Sequence, residues 1–197
     1  MTQARRRITA SELMAQLASD QEFNEAAAAR DAAIQARVSS HRAAESPIVE
    51  DLRRAGLEVA SVWDLVNTSE PYPTALPVLL MHLERGGYPD QVMAGLARAL
   101  AVMPAVPMWE KLRALYHRAG GAEEREGLAV ALAACATSEK LDALIELLSA
   151  ASLGDSRIHL LRPILRVGGD RGHAIVESLR SDPVFGREAA ALLGPSA

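Results

Sequence analysis

From Tyr72 onward the chain repeats itself, and a short fixed period confines a chain to a few stacked architectures. Gly95-Leu96-Ala97-Arg98-Ala99-Leu100-Ala101-Val102 returns as Gly127-Leu128-Ala129-Val130-Ala131-Leu132-Ala133-Ala134, an offset of 32 residues. A weaker third copy runs from Leu161 to Val167. The segments ahead of these copies repeat too: Leu76, Leu80 and Leu83 correspond to Met108, Leu112 and Leu115, then to Leu141, Ile145 and Leu148. Such spacing is that of one helix face. Gly86-Gly87 and Gly120-Gly121 stand where two successive first helices end, as a left-handed stop requires. A last pair spans His173 to Leu193, with Asp182-Pro183 in its turn. The pattern predicts four helical hairpins, at 73–103, 107–136, 138–168 and 170–194.

Composition agrees with an all-α fold. Apolar residues make up 49% of the chain but aromatics only 4%, so the core must be aliphatic. Alanine and leucine favour helices, and β-branched residues form no alternating runs. The basic residues are nearly all arginine, with lysine only at Lys111 and Lys140, a bias expected of a GC-rich bacterial genome. A formal charge of −4 argues against a general nucleic-acid binder. Cys135 is the only cysteine, which excludes a disulfide framework and a thiolate zinc site. It sits in an Ala/Leu helix and is expected to pack there as a small apolar side chain.

Ahead of the repeats, residues 9 to about 44 contain no Gly or Pro and predict one long helix, capped by Thr9 or Ser11 with Glu12 in its first turn. Its apolar face is thin: Leu13, Leu17, Phe23, Ile34 and Val38. Ser46-Pro47 marks the start of a new helix that buries Ile48, Val49 and Leu52 and closes at Gly56. Ser61 caps a short helix, Val62 to Val66, and Asn67 to Pro73 forms a linker. The expected organisation is an N-terminal helical extension (1–46), a short capping segment and linker (47–70) and a repeat domain (71–194). Arg5, Arg6 and Arg7 precede no apolar run of signal-peptide type, and no stretch is long enough to span a bilayer, so a soluble cytoplasmic protein is expected.

The repeat pattern resembles HEAT-like repeats of the armadillo type, and bacterial HEAT-repeat proteins in particular. The segment Asp182-Pro183-Val184-Phe185-Gly186-Arg187-Glu188-Ala189-Ala190-Ala191-Leu192-Leu193-Gly194 is similar to a HEAT second helix. There an Asp opens the helix and an Arg bonds across to neighbouring repeats. Asp90 and Asp155 suit the Asp role, while only Arg125 and Arg187 fit the Arg position, so the ladder is incomplete. The resemblance covers about residues 60–194. It implies an α-solenoid of about four hairpins behind a long N-terminal helix, and it brings no catalytic residues with it.

Gly168-Gly169-Asp170-Arg171-Gly172 follows a helix rather than a strand, so it predicts an inter-helix turn and not a phosphate loop. His41, His82, His117, His159 and His173 form no i,i+4 pair, and no metal site is expected from their spacing. Glu123, Glu124 and Glu126 open a helix and complement its dipole. Trp63 and Trp109 are read as plugs at the seams between hairpins, with Trp63 a candidate binding anchor. Arg98, Arg162 and Arg166 lie on second helices, which line the concave face of HEAT-type solenoids. Arg162 and Arg166 are one turn apart and share a face. The helix Glu123 to Ala136 is apolar all round after its first turn, so it is expected to be covered on nearly all sides.

The resulting expectation is a non-catalytic scaffold that holds another protein at Arg98, Arg162, Arg166 and Trp63, without cofactor or metal, nucleic acid or membrane. Self-association through the N-terminal helix goes with it. Two alternatives come from the resemblance: a nucleic-acid-binding or repair protein like the DNA glycosylases built on HEAT-like repeats, and a lyase or chaperone-like helper resembling bilin lyases.

Overall fold

The structure is a computed structural model that describes residues 9–11 and 21–194, apart from the side chain of Glu22. The stripe positions Leu13 and Leu17, and Glu12, lie outside those residues. The described residues form ten α-helices from Gln21 onward, joined by turns and short 3-10 segments, with no strand among them. The all-α reading holds. The chain divides into two compact units, Met1–Ala43 and Ala44–Ala197.

Helix α1 spans Gln21–Arg54. Along residues 21–43 nearly every described position is exposed, Ile34 and Val38 included. The expected restart at Ser46-Pro47 does not occur, because the helix runs through Pro47. Proline lacks an N–H for the Ala43 carbonyl and its ring crowds that turn, at a cost of about 3 kcal/mol. Burial of Ile48 and Leu52, both fully enclosed, stabilises the continuous helix by roughly 1.5–3 kcal/mol per side chain and outweighs it. Beyond Arg54 the stop is as expected: Gly56 has φ 86, Gly56 N–H bonds to Arg53 O, and Leu57 N–H bonds to Leu52 O.

In the second unit α2 (Val62–Val66) opens with Ser61 in a capping box with Asp64. Eight helices follow: α3 (Leu76–Arg85), α4 (Asp90–Ala99), α5 (Trp109–Arg118), α6 (Ala122–Ala134), α7 (Leu141–Ser149), α8 (Leu161–Val167), α9 (Gly169–Ser178) and α10 (Gly186–Leu193). The stretch between α7 and α8 is irregular. A 3-10 segment, Ala151–Leu160, leads into α8 and is kinked at Gly154. The contacts run in chain order, α2 on α4, α4 on α6, and α6 on the 3-10 segment; α3 packs on α4 and α5 on α6.

Glycine permits the closest of these approaches. A Cβ on Gly127 would lie 2.8 Å from the Ala94 carbonyl oxygen, and one on Gly95 would lie 3.2 Å from Trp63 Nε1. The repeated Gly of the sequence is therefore a contact residue between neighbouring second helices. Gly120 and Gly121 differ from expectation. Neither has a positive φ; α5 ends at Arg118, and Gly121 is the N-cap of α6 in extended backbone. What requires Gly121 is Asp90, whose Oδ1 would stand 1.7 Å from a Cβ there.

That carboxylate explains why α6 is well held. Asp90 opens α4, yet it accepts hydrogen bonds from the N–H groups of Glu123 (3.0 Å) and Glu124 (2.8 Å), two donors that the first turn of α6 leaves unpaired. At the other end, Trp109 Nε1–H donates to Leu132 O, and Arg166 Nη2 donates to Ala133 O (2.9 Å) and Ala136 O (3.3 Å). Thus α4 caps one end of α6 and α8 caps the other. Asp90→Ala is expected to lower stability by about 1–2 kcal/mol, measured by urea denaturation, since it removes a cap with two bonds. An unchanged midpoint would mean that water replaces the carboxylate fully.

Candidate functional site

A depression of about 550 Å³ in the second unit lies between α6 and α8. Val130, Ala133 and Ala134 of α6 form one wall, at i, i+3 and i+4. Ile158, Arg162, Pro163 and Arg166 form the other, with His159 and Glu188 at the margins. The expectation that α6 is covered nearly all round is corrected here. Leu128, Ala129, Ala131 and Leu132 are buried, but Val130, Ala133 and Ala134 are only half-buried because α8, short and set off by the Gly154 kink, leaves that strip open.

The two predicted arginines of this depression do different work. Arg166 is fixed by the carbonyls at the end of α6, so its guanidinium is foremost a helix cap and contributes its charge to the depression from a set position. Arg162 is exposed and has no hydrogen bond or ion pair among the described residues. The shared face read from the i,i+4 spacing is real, but replacing Arg166 would damage the fold as well as the surface.

Trp63 and Arg98 line a second depression of about 310 Å³, together with Gln91, Ala94, Glu123 and Glu126. Trp63 is half-buried, one edge of its indole against Gly95. Arg98 is not available as a free cation, because its Nη2 bonds to Glu126 Oε1 at 2.6 Å. Glu126 also faces His159, whose Nε2 is 3.6 Å from the same oxygen. A third depression, of about 400 Å³, is lined by Glu126, Arg125, Asp155, Ser156, Ile158 and His159. Glu126 belongs to the second and third depressions, Ile158 and His159 to the third and first. All four predicted site residues therefore lie along one continuous surface formed by α2, α4, α6, the 3-10 segment and α8. Glu126 and His159 were missed as its links. The signal was present in their separation of 33 residues, close to the repeat offset, but only the stacking shows that equivalent positions meet.

Several buried polar groups elsewhere have partners within the chain. Cys135 is fully buried, and burial pushes its thiol up to about 11, so it is no nucleophile at neutral pH. Tyr116 donates to Ser156 Oγ at 2.8 Å, and Ser156 donates in turn to Leu153 O. Burial raises the Tyr116 phenol and the Ser156 bond acts in the opposite direction. His82 is fully buried on the apolar face of α3: the Asp51 carboxylate meets its Nε2 at 2.9 Å and the Tyr88 hydroxyl its Nδ1 at 2.7 Å. Asp51 lies 31 residues from His82, too far for any spacing rule to pair them. The turn expected at Gly168 to Gly172 is shorter than that: Gly168 alone separates α8 from α9, and Gly169 to Gly172 belong to the first turn of α9, where a Cβ on Gly172 would lie 2.2 Å from the Ile164 carbonyl oxygen. No cluster of three or more His, Cys, Asp or Glu side chains suited to a metal ion occurs among the described residues. No single described helix is long and apolar enough to cross a membrane.

Compared with models of known protein families, with curated proteins and with solved structures, the chain matches none of them.

Proposed function

We propose that the protein is a non-catalytic scaffold, a short α-solenoid of four HEAT-like hairpins that holds another protein along the surface of its second helices. The observation that carries this reading is the joining of three shallow depressions, through Glu126, Ile158 and His159, into one surface that crosses successive helix pairs. Repeat arrays present such surfaces because each unit contacts mainly its neighbours and leaves one face uncovered. Trp63, half-buried at one end of this surface, suits an anchor. A cytoplasmic location goes with this reading, and the exposed Ile34 and Val38 on α1 suit self-association.

The test is affinity purification from the native host with the wild-type chain and with Ala134→Trp. Ala134 is half-buried at the depression wall, so the indole fills the depression without entering the core. Proteins retained by the wild type and lost from the variant, at equal melting temperatures, are the expected result. Equal retention, or no retained protein at all, would count against the reading.

The competing nucleic-acid reading makes a different prediction. In the second depression the one arginine, Arg98, is paired with Glu126, and the chain carries a formal charge of −4. Duplex DNA is therefore expected to bind no better than the roughly 10⁻⁴–10⁻⁶ M of non-specific association at physiological salt. A sub-micromolar gel shift at that salt would favour the nucleic-acid reading over the scaffold.

A further inference from the structure

We infer that the depression between α6 and α8 receives an amphipathic helix of a partner protein, its apolar face on Val130, Ala133 and Ala134 and a carboxylate on Arg162. This inference rests on the scaffold reading and specifies the partner's chemistry at that surface.

Charge complementarity selects the occupant. In a chain of formal charge −4, the lining of this depression reverses the balance, with Arg162 and Arg166 against Glu188. Arg166 is held on the Ala133 and Ala136 carbonyls. Arg162 is exposed and unpaired among the described residues, so a partner carboxylate can reach it without breaking an existing bond. The neighbouring depression does not compete for the same acid, because Glu126 already neutralises Arg98. A charge-assisted pair between a guanidinium and a carboxylate is also among the stronger polar contacts available to an interface.

The walls select the partner's backbone form. Both are helical or 3-10 and neither is a strand, so an extended segment finds no strand edge to add to. A helix meets its own backbone requirements and needs only an apolar strip to lie on. Val130, Ala133 and Ala134 provide that strip, and the two alanines let a second helix approach closely. Ile158 and Pro163 face it from the other wall, and anchors at i, i+3 and i+4 on the incoming helix would fall between the walls.

The experiment is a selection from a displayed library of amphipathic helices with randomised contact faces, using the full chain as target. The expected winners carry Asp or Glu beside small or branched apolar residues. A synthetic peptide from the selection, followed by fluorescence anisotropy, should lose about tenfold or more in affinity against Arg162→Glu. It should regain affinity for that variant when its acidic residue is replaced by Lys. Arg162 is exposed and unpaired, so the variant should melt as the wild type does. Winners without an acidic residue, winners indifferent to Arg162→Glu, or a selection without winners would each overturn the inference. A native partner lost with Ala134→Trp but unaffected by Arg162→Glu would overturn it and leave the scaffold reading standing. If no native partner is retained and the library also yields nothing, both readings fail.

Discussion

Ala131→Arg is expected to leave the chain unfolded or insoluble. Ala131 lies in the middle of α6 with no exposed surface, in a helix packed against α4, α5 and the 3-10 segment. An arginine there cannot reach water without parting those elements, and no carboxylate is buried beside it to pair with. An unpaired buried charge costs several kcal/mol, a large part of the roughly 5–15 kcal/mol that holds a typical domain. The control is Ala133→Arg. It lies about 200° further round the same helix, at the open depression, where the side chain extends into solvent. Circular dichroism melts of both variants should show one lost and the other near the wild type. A soluble, normally melting Ala131→Arg protein would show that the interior of this pairing is looser than its burial indicates.

Trp109→Ala is expected to destabilise the protein by about 3–5 kcal/mol, the usual range for removing a buried aromatic and leaving its cavity. Trp109 opens α5 and is 1% exposed. Its indole N–H supplies Leu132 O with a donor at 3.3 Å, and the Lys140 ammonium stands 5.2 Å from the ring centre. Lys140 also bonds to Glu110, and that bond holds the Glu110 carboxyl below its ordinary value. One side chain therefore joins α5, the end of α6 and the approach to α7. Trp109→Phe separates the contributions, since it keeps most of the packing and loses the N–H, at a cost of about 1–2 kcal/mol. Urea denaturation of both variants measures the difference. Equal losses would assign most of the effect to the hydrogen bond, contrary to expectation.

The resemblance to HEAT-like repeats leads one to expect a ladder of Asp and Arg bonds, and the ties that Asp90, Arg125 and Arg166 make run to backbone groups instead. Asp90 does reach the next second helix, although it does so by bonding the backbone of α6. Arg125, which fits the Arg position, donates instead to Ala119 O in its own turn. Arg166, one of the residues read as a binding candidate, bonds back to the end of α6, and Arg171 on α9 pairs back with Asp142 on α7.

What the sequence by itself determined are the features that act over a few residues or one helix face. The helical class, the Ser61 cap, the stops at Gly56 and Gly86-Gly87 and the apolar burial of Cys135 all depend on local backbone preference or on periodicity. Only the tertiary structure decided the rest. The passage of α1 through Pro47, the reason for Gly121, the capping of α6 from both sides and the meeting of Arg98 with Glu126 each join residues that local rules treat separately. Most of these ties span about one repeat, as from Asp90 to Glu123 or from Arg166 to Ala133. A repeat period shows that equivalent positions recur, but the rotation and offset of neighbouring pairs determine which of them touch. Those quantities come from how closely helices approach at Gly95 and Gly127, and from a kink at Gly154 that leaves one strip of α6 uncovered.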